Sequence, residues 1–157
     1  MTTSTKRSTL AILDTNVLVY AVDSESEHHA PSKTLLLQAA DPGAGLCVAP
    51  QNLAEFYAVV SDRRRVRNPL PPTAAIQAIN DLLALPGLAL LTVPIDVTTR
   101  FIELLHRHAV VAQHTFDAYL VATMLGNGVT RIHTFNAAHF GPFDELEVLV
   151  PQALAKA

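Results

Sequence analysis

The chain has 157 residues, of which 50% are hydrophobic and 16% are charged, and its formal net charge at pH 7 is −3. This length fits a single domain, and a composition so rich in apolar residues excludes a chain that is disordered throughout. The net negative charge excludes a generally basic surface, so any nucleic acid must be held by a local basic patch or through metal ions.

The sequence also argues against membrane proteins and disulfide-bonded proteins. The longest stretch without a charged residue, 82–95, is interrupted by prolines and is shorter than the roughly 20 residues that a membrane span needs. The apolar run that follows Lys6 and Arg7 is too short for a signal peptide. Cys47 is the only cysteine, and its apolar neighbours predict a buried side chain without chemistry. We therefore expect a cytoplasmic protein with no membrane segment.

The first half of the chain alternates short apolar runs with amphipathic segments. Residues 10–13 are almost entirely apolar and end at Asp14, which is typical of a strand buried in a parallel sheet. A helix is predicted to begin near Asn16 and a second helix to cover 31–40. A second buried strand follows over 46–49, and Pro50 begins a third helix.

The second half continues this alternation after a proline-rich break at 68–72. The predicted elements are a helix over 73–85, a strand over 88–93, a helix from the N-cap Asp96 to 108, a helix over 115–125, and strands over 131–135 and 146–150. Strands that alternate with helices require crossover connections, so the sequence predicts one α/β domain with a mostly parallel, five-stranded sheet flanked by helices. We expect this domain to cover 10–151, between a disordered N-terminal tail (1–9) and a C-terminal tail (152–157).

Four polar residues occupy positions where this architecture places ligands. Open α/β sheets bind ligands beyond the carboxyl ends of their strands, where Asp14 follows the first strand and Asn136 the fourth. Asp117 shares a helix face with apolar residues, which indicates that it points into a site. Glu55 lies between apolar positions of the third helix. Ordinary alternatives stay open: Asp14 could only cap a helix, Asp117 could lie at an amphipathic edge, and Glu55 could be solvated.

Four motifs follow one another along the chain: LDTN at 13–16, NLAEF at 52–56, FDAYLVA at 116–122, and HTFN at 133–136 with His139 and Phe140 after it. Together they resemble the PIN domain family, and in particular its VapC-like toxins of bacterial toxin–antitoxin systems. The resemblance covers nearly the whole chain, from about residue 10 to 151. It implies a metal-dependent endoribonuclease that hydrolyses RNA phosphodiester bonds as the toxin of such a pair, with an antitoxin protein as partner and a homodimer as the assembly.

The resemblance also assigns roles to residues. It implies that Asp14, Glu55 and Asp117 are carboxylate ligands of Mg²⁺ or Mn²⁺, and that Asn136 stands where many relatives have a fourth Asp. The matching positions that orient these carboxylates are Thr15, Asn16 and Thr134. The chemistry agrees, because hard divalent cations prefer oxygen ligands and assist phosphodiester hydrolysis. Three carboxylates converging without a cation would instead repel one another.

Basic residues follow the third helix in a cluster formed by Arg63, Arg64, Arg65 and Arg67. Because arginine is suited to phosphate recognition, we predict that this cluster binds RNA; the alternative is that it faces water at a helix end. The seven histidines show no dense metal-ligand spacing, so the sequence predicts no zinc site. His139 lies near Asn136 in sequence, and a surface or supporting role is expected for it.

Other function classes fit the motifs less well. A phosphotransferase of the haloacid dehalogenase type expects a second Asp two residues after the first, where this chain has Asn16, and it expects a lysine near a later strand. The same shortage of lysine argues against a response-regulator receiver domain. A degenerate PIN domain that acts as a non-catalytic RNA- or protein-binding module is the stronger alternative, because Asn136 already departs from an all-acidic set.

Overall fold

The computed structural model of the protein describes residues 9–152. The predicted tails, 1–9 and 152–157, lie outside the described residues except for Thr9 and Gln152. The domain limits of 10 and 151 therefore stay a prediction. Within the described chain, no helix combines the length and the apolar character needed to cross a membrane.

Five short strands and seven α-helices alternate over residues 9–152. The strands are β1 (Ala11–Leu13), β2 (Leu46–Val48), β3 (Leu88–Leu90), β4 (Arg131–His133) and β5 (Glu147–Leu149). The helices are α1 (Thr15–Val22), α2 (His29–Leu37), α3 (Pro50–Val60), α4 (Pro72–Leu83), α5 (Val97–His108), α6 (His114–Gly126) and α7 (Ala137–Phe140), and a 3-10 helix (Gln38–Ala40) extends α2. This pattern confirms the predicted α/β class.

The five strands form one sheet in the order β3-β2-β1-β4-β5, and every pairing is parallel. Ile12 of β1 lies opposite Cys47 on one side and Ile132 on the other. The chain moves outward from β1 to β2 and β3, then crosses back to add β4 and β5 on the other side of β1. The strand order therefore reverses between β1 and β4, and a crevice is expected at their carboxyl ends.

Helices cover both faces of the sheet, and two apolar clusters form the core. Successive strand residues point to opposite faces, so Ile12 packs with Ile132 and with α5 and α6, while Leu13 packs with Val48 and with α1 to α4. Cys47 is fully buried, and burial raises the pKa of its thiol to about 12. The prediction that Cys47 is a buried residue without chemistry agrees with this environment.

Some local predictions differ from the structure. Strand β3 ends at Leu90 and β4 at His133, so each is shorter than the predicted strands over 88–93 and 131–135. Helix α7 was not predicted from the sequence. Asp96 stands at the N-cap of α5 as predicted, but its carboxylate accepts a hydrogen bond from Nε of Arg100 (2.9 Å) instead of capping the helix.

Candidate active site

Asp14 lies at the junction of β1 and α1, and two hydrogen bonds fix its carboxylate. Oδ1 accepts from the backbone N–H of Thr15 (2.7 Å), which makes Asp14 the N-cap of α1. Oδ2 accepts from the hydroxyl of Thr134 (2.6 Å), which follows the neighbouring strand β4 and is fully buried. Asp14 itself is 8% exposed. Capping the helix and facing the crevice are thus compatible roles for one side chain.

The hydroxyl of Thr134 has a defined direction. Its oxygen accepts from the side-chain amide of Asn16 (3.3 Å) and from the backbone N–H of Asn136 (2.9 Å). Because both neighbours are donors, the single hydroxyl hydrogen is directed to Asp14. Asn16 also accepts from the backbone N–H of Phe135 (3.4 Å), which ties α1 to the segment after β4.

Glu55 is held from α1 and from its own helix α3. Its Oε2 accepts from the hydroxyl of Thr15 (2.9 Å), and its Oε1 accepts from the amide of Gln51 one turn earlier (2.9 Å). The buried amide of Asn52 donates to the Thr15 hydroxyl (3.3 Å) and leaves that hydroxyl free to donate to Glu55. Gln51 also donates to the carbonyl oxygen of Phe116 (3.0 Å), which links α3 to α6.

Asp117 extends from the first turn of α6, and its side chain is 23% exposed. Two imidazoles approach it: Nδ1 of His114 and Nδ1 of His139 each lie 3.4 Å from its Oδ2. The apolar residues that share its helix face, Leu120, Val121 and Met124, are buried as predicted. The prediction that Asp117 points into a site rather than into bulk water agrees with this placement.

The predicted carboxylates and Asn136 line one cavity of about 540 Å³ at the carboxyl ends of β1 and β4. Other residues that line it include Thr15, Asn16, Tyr20, Arg65, Gln113 and Phe116. Asn136 occupies the N-cap position of α7, where its side chain makes no capping hydrogen bond. The structure thus brings together Asp14, Glu55, Asp117 and Asn136, which are widely separated in the sequence.

Burial and mutual repulsion disfavour the charged carboxylates. Burial raises the pKa of Asp14, and the nearby charges of Asp117 and Glu55 raise it further, against the opposing hydrogen bonds from Thr134 and Thr15. Burial likewise raises the pKa of Asp117, although its two histidine neighbours oppose the shift. A cation in the cavity would relieve both penalties. Three carboxylates and an amide oxygen form the donor set that a hard divalent cation prefers.

The arginine cluster is not one continuous surface at this cavity. Arg65 lines the carboxylate cavity, whereas Arg63 and Arg64 line a separate surface cavity near the start of α4. Arg64 pairs with Asp62 (3.3 Å), and Arg67 pairs with Glu25 (3.6 Å). Of the four arginines, Arg65 is therefore the one in position to meet a group bound between the carboxylates.

Two residues that contact the carboxylates were not predicted from the sequence, and the role of a third was left open. Gln51 orients Glu55, and His114 contacts Asp117. His139, for which a surface or supporting role was expected, also contacts Asp117. The spacing of His114 and Asp117, three positions apart on one helix, was the available signal for that contact. No sequence signal brings His139 of α7 to the same carboxylate, because tertiary packing alone makes this approach.

Comparison with known proteins adds family evidence. The PIN domain family matches residues 11–145. Ribonuclease VapC37 of Mycobacterium tuberculosis is 35% identical over 98 residues, covering 62% of this chain and 65% of that protein. Ribonuclease VapC43 of the same species is 39% identical over 75 residues, covering 48% of this chain and 51% of that protein. The chain thus spans less than two thirds of the length of these curated relatives.

Solved structures share the fold. VapBC2 from Rickettsia felis, bound to a DNA fragment from its promoter, superposes with a TM-score of 0.64 at 17% identity and covers 91% of this chain and 99% of that chain. VapC20 of Mycobacterium tuberculosis, a toxin that cleaves the sarcin–ricin loop, superposes with a TM-score of 0.60 at 19% identity. The match covers 85% of this chain and 95% of that chain. At these identities the likeness establishes the fold alone.

Proposed function

This chain belongs to the PIN domain family, and from that membership we propose that it is a divalent-metal-dependent endoribonuclease that acts as the toxin of a toxin–antitoxin pair. The observation that carries the proposal is the convergence of Asp14, Glu55 and Asp117 on one cavity. Asp14 is buried and Asp117 is partly buried, and burial raises the pKa of both, so their charged forms are costly in the absence of a cation.

The proposed metal ligands are Asp14, Glu55 and Asp117, with Asn136 contributing an uncharged amide oxygen. Bound there, Mg²⁺ or Mn²⁺ would neutralise charge on the scissile phosphate and lower the pKa of an attacking water. Thr15, Asn16 and Thr134 serve to orient the carboxylates: Thr15 donates to Glu55, and Thr134, itself held by Asn16, donates to Asp14. These hydrogen bonds keep the anionic oxygens in place without a bound ion to organise them.

Substrate contacts are proposed for the mouth of the cavity. Arg65 offers a guanidinium to a phosphate next to the carboxylates, and the Phe116 ring, 66% exposed, offers a flat apolar surface to a base. Arg63, Arg64 and Arg67 are proposed to contact the RNA farther from the scissile bond. A local basic group of this kind is needed because the chain as a whole is acidic.

The names of the relatives support the biological part of the proposal. Curated relatives are named ribonucleases, and solved neighbours include VapBC assemblies and a toxin–antitoxin complex from Klebsiella pneumoniae. We therefore propose RNA as the substrate and a cognate antitoxin protein as a partner. The homodimer and the cytoplasmic location stay predictions of the sequence analysis.

Asn136 keeps a second candidate function open. An amide at this position removes one negative charge from the cavity, and this favours a degenerate PIN domain that binds RNA or protein without cleaving it. The two candidate functions differ in whether the protein cleaves RNA when metal ions are added.

The experiment is cleavage of a mixed RNA pool by the purified protein under metal control. We expect no cleavage after EDTA treatment, cleavage on addition of Mn²⁺ or Mg²⁺, and no cleavage by Asp117→Asn under either condition. The exposed Glu103→Gln is the matched control that also removes one carboxylate charge. Cleavage by Asp117→Asn at the parent rate would reject the proposed site, and metal-independent RNA binding without cleavage would support the binding module.

A further inference from the structure

A second set of potential metal ligands lies beside the carboxylate cavity, formed by His114, Asp117 and His139. His114 begins α6 and lies one turn before Asp117, so that both side chains share a helix face. His139 comes from α7, the short helix that follows β4. The two imidazole rings meet edge to face, with their centroids 4.9 Å apart.

The distances among these groups fit the ligands of a shared ion, and the contact between His114 and Asp117 is also a long hydrogen bond. Nδ1 of each histidine lies 3.4 Å from Oδ2 of Asp117, which is longer than the roughly 2.7–3.2 Å of a good N–H···O bond. Two ligand atoms of a tetrahedral zinc ion lie about 3.3–3.5 Å apart, given metal–ligand distances of about 2.0–2.2 Å. All three ligand atoms lie within 4.8 Å of one another.

The ligand types differ from those in the carboxylate cavity. Two imidazole nitrogens and one carboxylate oxygen suit zinc, cobalt or nickel, whereas magnesium prefers oxygen ligands alone. The side chains of His114 and His139 are 45% and 39% exposed, so an ion can reach them from solvent. Three protein ligands also leave a fourth tetrahedral position open to water or to a phosphate oxygen.

We propose that His114, Asp117 and His139 form a binding site for a divalent transition metal ion of the zinc class, adjacent to the carboxylate cavity. Asp117 belongs to both sets of ligands, so an ion held by the histidines draws on a carboxylate that the cavity also uses. Such a site would differ from the sequence prediction of no zinc site. That prediction rested on spacing along the chain, whereas the packing of α7 beside the start of α6 brings the two histidines together.

A second cluster of similar composition provides a contrast. His108, Asp144 and Glu145 also lie within reach of one another, but Arg107 forms an ion pair with Glu145 and already neutralises its charge. Among the described residues, no lysine or arginine side chain forms an ion pair with Asp117. His108 therefore serves as a control histidine in an acidic environment, and the exposed His106 serves as a control on an open surface.

The test is a titration of the tag-free, metal-free protein with Zn²⁺ by calorimetry, and with Co²⁺ by visible absorption. We expect the parent to bind Zn²⁺ and to give the intense absorption of tetrahedral Co²⁺ with nitrogen ligands. His114→Ala and His139→Ala should each weaken Zn²⁺ binding by at least about tenfold, since loss of even a supporting partner of a ligand costs about that much. Both variants should also lose the Co²⁺ absorption, while His106→Ala and His108→Ala keep both properties.

Unchanged Zn²⁺ affinity in both His114 and His139 variants would overturn the proposal, as would an equal loss in the control variants. His114→Gln and His139→Gln provide a second pair of variants if the alanine proteins do not fold, as judged by circular dichroism. Zn²⁺ affinity and Co²⁺ absorption are measured without RNA and without a cleavage reaction. Failure of this test would leave the proposed nuclease activity untouched, and failure of that activity would leave this site testable.

Discussion

Thr134 is the residue whose hydroxyl holds Asp14, and its removal gives a direct test of carboxylate positioning. Thr134→Val keeps the shape of the side chain but removes the donor to Asp14 and the acceptor for Asn16. Because that hydrogen bond opposes the raised pKa of Asp14, its loss should raise the pKa further. We expect Mn²⁺ affinity, measured by calorimetry, to fall about 10–100-fold.

Thr134→Ser is the matched control, since it keeps the hydroxyl and loses only a methyl group. It should bind Mn²⁺ within a few-fold of the parent. Equal affinities for Thr134→Val and the parent would show that the orientation of Asp14 does not depend on this hydrogen bond.

The thermal stability of the protein reports how much the charged carboxylate of Asp117 destabilises the folded state. Burial raises the pKa of Asp117 above the ordinary value of 3.8, so its charged form destabilises the folded state. This cost is absent below pH 3.8 and is fully present above the folded-state pKa. At pH 7, Asp117→Asn should therefore raise the Tm of the metal-free protein by a few degrees, because about 1 kcal/mol shifts Tm by roughly 2–4 °C at this size.

The difference in Tm should shrink as the pH is lowered toward 3.8, because the raised pKa makes the folded parent take up this proton more readily than the unfolded chain. Thermal melts of both proteins in EDTA over this pH range provide the measurement, with Glu103→Gln as the control for an exposed carboxylate. A lower Tm for Asp117→Asn at pH 7 would show that the contacts with His114 and His139 outweigh the cost of burial.

Asp14 and Asp117 could be selected from the sequence because each interrupts an apolar pattern, whereas Glu55 could equally have been solvated and was assigned through the family resemblance. Asp14 ends a buried strand, and Asp117 lies on an apolar helix face, so a solvated role was already disfavoured. Gln51 and His139 have no feature of this kind in the sequence that would mark them as site residues. Gln51 is an ordinary polar residue in the first turn of α3, and its role depends on the approach of Glu55 and Phe116.

At the scale of elements, Gly87 is where the connection into β3 has no room for a side chain. Its N–H donates to the carbonyl of Ala39 (2.7 Å), and a Cβ built on it would overlap the carbonyl oxygen of Asp41. That Cβ would also lie 2.9 Å from the Cβ of Ala44. Gly87→Ala must therefore displace backbone, and we expect a loss of about 1–3 kcal/mol or more in the free energy of unfolding.

Gly43→Ala is the matched control in the adjacent loop before β2, because its nearest contact would be the Asp41 side chain at 3.4 Å. Its stability should change by no more than about 0.5 kcal/mol. Urea denaturation of both variants makes the comparison. Equal stabilities for the two variants would mean that the loop before β3 can shift to accommodate a side chain at little energetic cost.

The order of strands and helices was predictable, but several element limits were not. Apolar periodicity located all five strands and six of the seven α-helices over residues 9–152. Helix α7 has four residues, too few to show a helical period. The predicted strand extends to Val93 although pairing stops at Leu90, and Val93 is 50% exposed, so apolar character at this edge strand indicates neither pairing nor burial.

At the scale of the whole molecule, a net charge of −3 means that the proposed RNA binding must depend on local basic residues and on metal ions. Arg65 lines the carboxylate cavity and should make a phosphate contact. We expect Arg65→Ala to weaken RNA binding and to lower the slope of log affinity against log salt by about one unit. The triple replacement of Arg63, Arg64 and Arg65 by Ala should lower the slope further.

These affinities are measured in an Asp14→Asn background that prevents cleavage. Arg100→Ala is the control, since Arg100 is bonded to Asp96 at the start of α5. A salt slope that is the same for the triple variant and the control would assign the arginine cluster to an ordinary solvated surface.

The parallel sheet explains why motifs that are far apart in the sequence could be predicted to lie in one site. Carboxyl ends of neighbouring parallel strands meet at one edge, so Asp14 after β1 and Asn136 after β4 had to approach each other once the strand order was known. The strand order itself was not readable from periodicity. It depends on which helices cross which face, and this is decided by packing across the whole domain.

The central claim is that the carboxylates act as one metal-dependent site, and the rates of single and double variants test it most directly. Single-turnover RNA cleavage is measured for the parent, Asp14→Asn, Asp117→Asn and the double variant in Mn²⁺. We predict that each single change slows cleavage by at least about a hundredfold and that the double variant is no slower than either, because groups that act as a unit are not additive. Near-parental cleavage by either single variant, or losses that multiply in the double variant, would contradict the account.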